Sequence, residues 1–177
     1  MFRYCPSCSS DRIAFENSRL FRCPDCGFVY FHNTAAAAGC VIITDGRMLF
    51  LVRAKEPAAG KLDFPGGFIE PGEGAVEGLR RECREELGWE PEGEFSFLAS
   101  FPNVYPYRDI AYNTCDLFFA ISAPGLSEKD LCLDPEETAG ARFIKPEDID
   151  FGEIAFDSGR KALRAWEEKY KAGFWRA

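Results

Sequence analysis

One stretch of the chain, residues 67–89, constrains the fold more than any other part. Pro71-Gly72 is a turn signal, and after it apolar residues recur at a spacing that places them on one side of a helix. This pattern predicts a helix from about Gly74 to Leu87, and Gly88 then supplies the positive φ that often ends a helix. The apolar stripe consists of Val76, Leu79, Cys83 and Leu87.

Three glutamates share a second face of the same helix. Glu82, Glu85 and Glu86 lie at positions i, i+3 and i+4, so their carboxylates project side by side. Like charges at this spacing repel by roughly a few tenths of a kcal/mol per pair, and Arg81 is the arginine of the helix that is placed to offset the repulsion. We therefore expect a further cation to hold the three acids together.

The spacing of these residues matches a family pattern. It resembles the Nudix box, G-x5-E-x7-R-E-U-x-E-E-x-G-U, in which U is an apolar residue. Cys83 and Trp89 stand at the apolar positions. The fixed positions are filled by Gly67, Glu73, Arg81, Glu82, Glu85, Glu86 and Gly88. The alternative is a charged amphipathic helix that matches by chance. The resemblance implies a pyrophosphohydrolase in which this loop and helix bind Mg²⁺ or Mn²⁺.

The resemblance also implies a fold class. Nudix proteins are α+β, with a mixed sheet in an α/β/α sandwich, and we expect this domain to occupy residues 35–177. Residues 1–34 are expected to form a small N-terminal zinc ribbon. The chain has 177 residues and 46% of them are hydrophobic, which is enough for one domain of ordinary size with a small appendage.

Composition limits the cellular compartment and the kinds of partner that we expect for this protein. The net charge of -8 argues against a nucleic-acid-binding surface over the whole molecule, so we expect a small-molecule nucleotide partner instead. No apolar run approaches the roughly 18 residues of a membrane helix, and the N-terminus has no basic head followed by an apolar stretch. Four of the eight cysteines form two CxxC pairs, which is typical of metal binding in a reducing cytosol. We therefore expect a cytoplasmic protein.

The two CxxC pairs predict a zinc site. The pairs Cys5/Cys8 and Cys23/Cys26 are separated by a hairpin-sized insert. Four thiolates satisfy tetrahedral Zn²⁺ and leave no position for substrate, so the site should be structural. Metal binding would supply the folding free energy that so short a segment lacks. A redox CxxC pair and two disulfides are the alternatives. A structural or dimer-forming role is expected for the ribbon, and a homodimer is what the family suggests.

Other patterns place the remaining elements. Asp45-Gly46 is a strong hairpin signal. The run Ala35–Gly39 is interpreted as part of a linker, Pro102–Tyr107 as an aromatic-rich loop, and Ser158 as the cap of a last helix. The strands predicted are Cys40–Thr44, Arg47–Val52, Phe95–Phe101 and Ala111–Ser122. The last helix should bury Ala162, Leu163 and Trp166.

The resemblance assigns the metal ligands of the catalytic site. The ligands that it implies are the Gly66 carbonyl and the carboxylates of Glu82, Glu85 and Glu86. Glu137 lies shortly before a segment that resembles the A-x-W-F strand of zinc-ribbon members, and there it would add a ligand or act as a base. Glu136 is its rival for that role.

The remaining catalytic assignments concern proton transfer and orientation. The general base stays open between Glu82, Glu85 and Glu137. Arg81 is expected to orient the acids through bidentate hydrogen bonds, with Glu73 as a partner in the loop.

Several residues are candidates for binding the substrate. Arg53 and Lys61 are candidate phosphate contacts, and an exposed solubilising role is the alternative for both. Tyr105, Tyr107 and Tyr112 are candidates for stacking on a base or nicotinamide ring, and core or lid positions are the alternative.

The substrate class follows from the resemblance. Zinc-ribbon Nudix proteins include NADH pyrophosphatases, which carry S-Q-P-W-P-F-P-x-S after the box. Residues 100–107 here are Ser-Phe-Pro-Asn-Val-Tyr-Pro-Tyr, which keep prolines and aromatics but lack the Gln-Pro-Trp core. We therefore predict hydrolysis of a nucleoside diphosphate linked to a second group, with NAD(H), ADP-ribose and FAD as candidates. The rival hypothesis is a non-catalytic ligand sensor whose ribbon binds nucleic acid or protein.

Overall fold

The computed structural model describes residues 2–17, 19–107 and 110–171. They form two compact units. One contains the described residues up to Thr34 together with Ile110, and the other contains residues 35–107 and 111–171. Within these ranges, no helix combines the length and the apolar content that crossing a bilayer requires.

The first unit is a small three-stranded sheet. Its antiparallel strands lie in the order β1-β2-β3, and they are β1 (Ala14–Glu16), β2 (Leu20–Arg22) and β3 (Val29–Phe31). Phe21 is buried and stacks on Phe15 with ring centroids 4.4 Å apart. Cys5 and Cys23 are buried beside this small apolar core. So little apolar burial fits a unit that a bound metal would stabilise.

The second unit contains a mixed seven-stranded sheet and two helices. Its strands are β4 (Ala35–Thr44), β5 (Arg47–Arg53), β6 (Leu62–Asp63), β7 (Gly66–Phe68), β8 (Ser96–Tyr107), β9 (Ile110–Ser122) and β10 (Thr138–Ile144). Its helices are α1 (Ala75–Leu87) and α2 (Asp157–Lys171). The strand order is β10-β5-β4-β9-β8, with β6 paired to β5 and β7 to β4. The β4 and β9 strands run parallel, and β4 pairs antiparallel with β5 and β7.

The two helices pack against opposite faces of this sheet. Successive residues of β4 alternate between the two sides, so Ile42 packs with α1 and Val41 with α2. The α1 helix buries Leu79, Cys83 and Leu87. The α2 helix buries Ala162, Leu163 and Trp166, as the sequence predicts. The arrangement confirms the predicted α+β class with a mixed sheet between helices.

The central helix and the first hairpin have their predicted positions. Gly74 precedes α1 with an extended backbone, and its N–H donates to Oε2 of Glu77 at 2.7 Å. Gly88 ends the helix with φ of 61°. In the hairpin, Asp45 and Gly46 both have positive φ, which is the conformation that a two-residue turn between twisted strands requires.

Two stretches predicted to be irregular are strands, and both predictions are therefore wrong. Ala35–Gly39, interpreted as a linker, is the first half of β4, where it pairs with both β7 and β9. Its small side chains permit close packing, since a Cβ on Gly39 would lie 2.9 Å from the ring of Phe118. Pro102–Tyr107, interpreted as a loop, is the second half of β8. The partners of Ala35–Gly39 are distant in sequence, whereas Pro102–Tyr107 lies beside β9, the next strand along the chain.

The predicted cap of the last helix is also wrong. The α2 helix begins at Asp157, and Ser158 lies inside its first turn. Ser158 is buried, and its hydroxyl donates to Oδ2 of Asp116 at 2.6 Å. The hydroxyl therefore bonds to a strand residue across the domain and not to its own helix.

Candidate active site

A cavity of about 760 Å³ opens in the second unit. Carboxylates of α1 contribute part of its lining, and polar side chains of β8, β9 and α2 contribute another part. The predicted site residues that line it are Arg53, Gly66, Arg81, Glu82, Glu85, Glu86, Tyr105 and Glu137. These residues come from four elements and one loop and meet around one space, although they span more than eighty positions of the chain.

The three glutamates of α1 differ in their environments. Glu85 has 59% of its side chain exposed, whereas Glu82 has 14% exposed. Oε2 of Glu86 accepts a hydrogen bond from the backbone N–H of Gly66 at 2.8 Å, which joins the helix to β7. Burial raises the pKa of Glu82, and it raises the pKa of Glu86 well above its usual range. Closely spaced, partly desolvated carboxylates of this kind favour binding of a cation.

Arg81 connects four acceptor groups at the edge of this acid row. Its Nη1 atom donates to Oε1 of Glu82 at 2.8 Å and to Oε2 of Glu85 at 2.9 Å. Its Nε and Nη2 atoms donate to the two carboxylate oxygens of Glu73, at 3.2 and 2.7 Å, and Nη2 also donates to the carbonyl of Phe68. The hydrogen bonds to Glu73 are the main reason why the pKa of Arg81 rises above its ordinary value. Arg81 therefore carries its charge at any working pH.

Glycines let the backbone approach these acids closely. Gly66 has φ of 143°, and a Cβ there would lie 3.0 Å from the backbone carbon of Ala38. A Cβ on Gly67 would lie 2.8 Å from Cδ of Glu82. A Cβ on Gly78 would lie 2.9 Å from Oε1 of Glu73. Only at Gly66 is the close neighbour backbone, so this position needs glycine, whereas at Gly67 and Gly78 a methyl group would push a carboxylate aside.

The structure distinguishes Glu137 from its rival. Glu137 lines the cavity, and its backbone carbonyl accepts a hydrogen bond from Ala54 at 2.9 Å. Glu136 is 82% exposed and pairs with Lys55 at 3.6 Å. Asp134, which no sequence motif indicates, also lines the cavity.

The two candidate phosphate contacts have different positions. Arg53 lines the cavity, where its Nη1 donates to Oδ2 of Asp63 at 2.8 Å and its guanidinium lies 5.0 Å from the ring centroid of Phe156. Burial lowers the pKa of Arg53, but the Asp63 carboxylate raises it by more. The pKa of Arg53 therefore lies above its ordinary value. Lys61 does not line this cavity. It donates to the carbonyl of Gly152 and to Glu153, at 3.2 and 3.1 Å.

Strand pairing explains this position of Lys61, and its role as a phosphate contact stays a prediction. The strand β6 runs beside the segment that precedes α2, since Leu62 bridges Ile154 and its carbonyl accepts from Ala155. That pairing directs the Lys61 ammonium toward residues 152–153. The sequence contains no local signal for this contact because the partners are about ninety positions apart.

An aromatic group lies beside Arg53. The Tyr105 ring lies 5.7 Å from the ring of Phe156 and meets the ring of Phe68 edge-on at 5.6 Å. Both Tyr105 and Phe156 line the cavity. The backbone of Tyr107 ends β8, and its side chain lies outside the described part of the chain. Tyr112 is half-buried in β9 and does not line this cavity.

Sequence reasoning missed a polar cluster in the same cavity. Its members come from β8, β9 and α2, and they are Asn103, Thr114, Asp116 and Ser158. A polar signal does exist in the sequence, because Thr114 and Asp116 interrupt the inward-facing positions of a strand that otherwise buries Phe118 and Ala120. The pairing partners of Asp116 are 13 and 42 positions away along the chain.

The first unit holds a compact thiol cluster. Among the described residues, Cys5, Cys8, Cys23 and Cys26 place their Sγ atoms within 4.8 Å of one another. The Sγ separations are 3.6 Å for Cys5–Cys26 and 3.7 Å for Cys8–Cys23. Ligands at about 2.3 Å around a tetrahedral Zn²⁺ would lie roughly 3.8 Å apart. The distances exceed the S–S bond length of about 2.05 Å, so the four cysteines are free thiols and the disulfide alternative is wrong.

A mixed sheet between two helices, with a glycine loop leading into a glutamate-lined helix, defines a protein of the Nudix class. The family model described as "NUDIX domain" matches residues 33–166, and the chain belongs to this family. The matched range includes the box at residues 67–89.

Relatives with curated names support the same family. The NAD-capped RNA hydrolase NudC of Stutzerimonas stutzeri is 35% identical over 86 residues, which are 49% of this chain and 31% of that protein. The ADP-ribose pyrophosphatase of Methanocaldococcus jannaschii is 32% identical over 99 residues, which are 55% of each chain. This chain thus spans from about a third to about half of the length of these relatives.

Solved structures share the fold. A Nudix hydrolase from Nitrosomonas europaea aligns with a TM-score of 0.74 at 24% identity, and the alignment covers 97% of this chain and 94% of that one. The Nudix domain of NrtR from Shewanella oneidensis, solved in complex with ADP ribose, aligns with a TM-score of 0.64 at 18% identity, over 79% and 90% of the two chains. At these identities the likeness concerns the fold alone.

Proposed function

We propose that this protein is a divalent-metal-dependent pyrophosphohydrolase that cleaves the diphosphate bond of a nucleoside diphosphate linked to a second group. One observation carries the proposal. Glu82, Glu85 and Glu86 line one cavity as a row of acids in which Arg81 is the neighbouring cation. Such a row has an excess of negative charge next to a space that is large enough for a nucleotide.

The donor set of the cavity suits Mg²⁺ or Mn²⁺. Carboxylate oxygens are hard ligands, and Mg²⁺ prefers oxygen ligands while it keeps several waters. We assign its binding to Glu82, Glu85, Glu86, Glu137 and the Gly66 carbonyl. When bound, the ion activates water and neutralises charge on the phosphates. A thiol cluster of the kind found in the first unit suits Zn²⁺ instead, and we assign it a structural role.

The reaction then needs a base and an orienting group. Water attacks a phosphorus atom, a P–O bond forms, the bridging P–O bond breaks, and the water proton passes to a carboxylate. Glu82, Glu85 and Glu137 remain the candidates for that carboxylate. Arg81 keeps the first two in place through its hydrogen bonds, so we assign it a positioning role.

The second group of the substrate is inferred from chemistry that the named relatives share. NAD and ADP-ribose both join an adenosine to a second group through a diphosphate. The aromatic rings of Tyr105 and Phe156 are suited to a planar ring, and the Arg53 guanidinium beside them is suited to a phosphate. We therefore propose NAD(H)-like or ADP-ribose-like substrates, with FAD as a further member of the class.

A substrate panel tests the proposal. NADH, NAD, ADP-ribose, FAD and nucleoside triphosphates would be incubated with Mg²⁺ or Mn²⁺, and the products would be separated by chromatography. We expect a dinucleotide or ADP-ribose to yield two monophosphates. The Glu85→Gln variant, which keeps the size of the side chain, should lose at least about a hundredfold in kcat, which corresponds to several kcal/mol of transition-state stabilisation.

A non-catalytic ligand sensor is the second candidate, because a cavity of this size and polarity can hold a nucleotide without cleaving it. The same panel separates the two. Binding of ADP-ribose without turnover, or equal turnover by the wild type and Glu85→Gln, would favour the sensor.

A further inference from the structure

Asp116 is a buried carboxylate in the cavity, and it accepts three hydrogen bonds from three elements. Its Oδ2 atom accepts from Nδ2 of Asn103 at 2.9 Å and from the hydroxyl of Ser158 at 2.6 Å. Its Oδ1 atom accepts from the hydroxyl of Thr114 at 2.6 Å. Asp116 is 8% exposed. A buried carboxylate with three donors is held in one position.

The carboxylate determines which way the Asn103 amide points. An ionised carboxylate only accepts hydrogen bonds, so the amide must turn its NH₂ group toward Asp116. The carbonyl oxygen Oδ1 of Asn103 then points away from Asp116. Within residues 2–17, 19–107 and 110–171, this oxygen accepts no hydrogen bond. Because Asn103 lines the cavity, it offers an oriented acceptor to a ligand there.

A ring platform lies on the same side of β8. Asn103 and Tyr105 are two residues apart in this strand, so their side chains share one face of the sheet. The Tyr105 ring lies 5.7 Å from that of Phe156. The two rings are tilted by 47°, and a planar ring that stacks on Tyr105 would bring its edge toward Asn103. The cavity therefore combines a surface for a ring with an oriented amide acceptor on the same side of β8.

We infer that Asn103, oriented by Asp116, selects substrates whose ring carries an exocyclic N–H donor. This inference rests on the proposed function, because it concerns the substrate of the same cavity. Asn103 is the specificity-determining residue, and Asp116 is a positioning residue that acts through it. An amino group of adenine and a carboxamide of nicotinamide both supply such a donor. A ring that presents a carbonyl or carboxylate oxygen at the same place would meet the Asn103 oxygen, and two acceptors repel.

Two substrate pairs test the inference and identify the source of the donor. ADP-ribose and inosine diphosphate ribose differ in the amino group of the base, and NAD and its deamido analogue differ in the carboxamide. We expect kcat/KM of the wild type to favour the donor-bearing member of one pair by about tenfold or more. The pair that shows the preference identifies the group that Asn103 contacts. Equal kcat/KM within both pairs would overturn the inference.

The Asp116→Asn variant gives the sharper test. An amide at this position can donate to Asn103, so the Asn103 amide can reverse and present NH₂ to the cavity. We expect the preference to fall to about onefold or to invert. Asn103→Ala should abolish the preference, and this variant replaces Asp116→Asn as the test if Asp116→Asn does not fold. Ser158→Ala leaves the Asp116–Asn103 hydrogen bond in place and should keep the preference. An unchanged preference in both Asp116→Asn and Asn103→Ala would contradict the inference.

Failure of the proposed function can be told apart from failure of the inference. If the wild type hydrolyses none of these compounds, the proposed function fails. Calorimetric titration of the Glu85→Gln variant with ADP-ribose, inosine diphosphate ribose, NAD and deamido-NAD then measures the preference as binding. Tighter binding of the donor-bearing member by about tenfold would support the inference, and equal binding in both pairs would overturn it.

Discussion

The guanidinium of Arg81 and the carboxylate of Glu73 form two parallel hydrogen bonds, from Nε to Oε2 at 3.2 Å and from Nη2 to Oε1 at 2.7 Å. This bidentate contact fixes the plane of the guanidinium, so the remaining nitrogen faces Glu82 and Glu85. The loop that carries Glu73 therefore controls the position of acids that lie two and three helical turns away.

Replacement of Arg81 by lysine tests this arrangement. A lysine keeps the charge but cannot form the two parallel hydrogen bonds to Glu73 that orient the arginine, so Glu82 and Glu85 lose their common partner. We expect kcat/KM to fall about 10- to 100-fold, or roughly 1.4 to 2.8 kcal/mol of transition-state stabilisation. Steady-state kinetics with the best substrate of the panel measures the effect. Arg84→Lys, at an exposed arginine that pairs with Glu90, is the matched control. Equal losses in the two variants would contradict the positioning role.

A methyl group at Gly67 should weaken metal binding without unfolding the protein. The added Cβ would displace the carboxylate of Glu82, which is the end of a flexible side chain and can move. We expect Gly67→Ala to raise the Mg²⁺ concentration for half-maximal activity severalfold. Titration of activity with Mg²⁺ measures this shift, and thermal unfolding checks the fold. In Gly74→Ala the Cβ would lie 3.4 Å from Glu77, an ordinary contact, and the Mg²⁺ dependence should stay unchanged. A normal Mg²⁺ dependence in Gly67→Ala would refute the assignment of Glu82 as a ligand.

Removal of the Arg53 charge should destabilise the protein in a pH-dependent manner. Burial already raises the pKa of Asp63, and Arg53 opposes that rise. In Arg53→Met, Asp63 keeps its burial without its cation, so its pKa rises further and unfolding becomes easier by about 2 to 3 kcal/mol near neutral pH. A native pKa above the unfolded value of about 3.9 means that the native state binds more protons between the two values, so stability falls as pH rises through that window.

Urea unfolding at several pH values measures this effect. The deficit of Arg53→Met should be smaller at pH 4 than at pH 8, because an Asp63 carboxyl with a raised pKa takes up its proton before the unfolded chain does and then needs no cation. Lys55→Met removes an exposed partner of Glu136 and should change stability little at either pH. A deficit that does not depend on pH would show that Arg53 acts through packing on Phe156 alone.

The thiol cluster predicts a zinc content and a pattern of proteolysis. Metal analysis should return about one zinc per chain. Removal of zinc by a strong chelator should expose Arg12, Arg19 and Arg22 to trypsin, because the first unit buries little apolar surface of its own. Mass spectrometry of the early fragments locates the cuts, and residues 35–166 should resist cleavage. This experiment also tests the proposed boundary between residues 1–34 and 35–177.

Two variants control the zinc experiment. Cys23→Ser removes a buried thiol of the cluster and should be cut without any chelator. Cys115→Ser changes an exposed cysteine in β9 and should behave as the wild type. A folded, protease-resistant first unit without bound metal would disprove a structural role for zinc.

Local patterns predict the parts of this protein that local interactions form. The α1 helix and its acid row follow from spacing alone, since residues three and four apart meet on a helix in any context. The Asp45-Gly46 hairpin is predicted for the same reason, because its turn requires positive φ at both residues.

Long-range pairing explains what the sequence could not predict. Ala35–Gly39 lacks the β-branched residues typical of strands, yet it pairs with β7 and β9, where small side chains are needed. Lys61 and Arg53 are similar in sequence context, but strand pairing sends Lys61 to Glu153 and leaves Arg53 in the cavity. Asp116 becomes part of the site only because β8 and α2 bring Asn103 and Ser158 to it.

The hydrogen bond from Gly66 to Glu86 has a consequence for protein engineering. One oxygen of this carboxylate anchors the backbone ahead of the helix, so the side chain serves as a brace as well as a candidate ligand. A designer who wished to change the metal preference at position 86 would also alter the scaffold that supports the cavity. The metal preference and the stability of the scaffold therefore cannot be changed separately at this position.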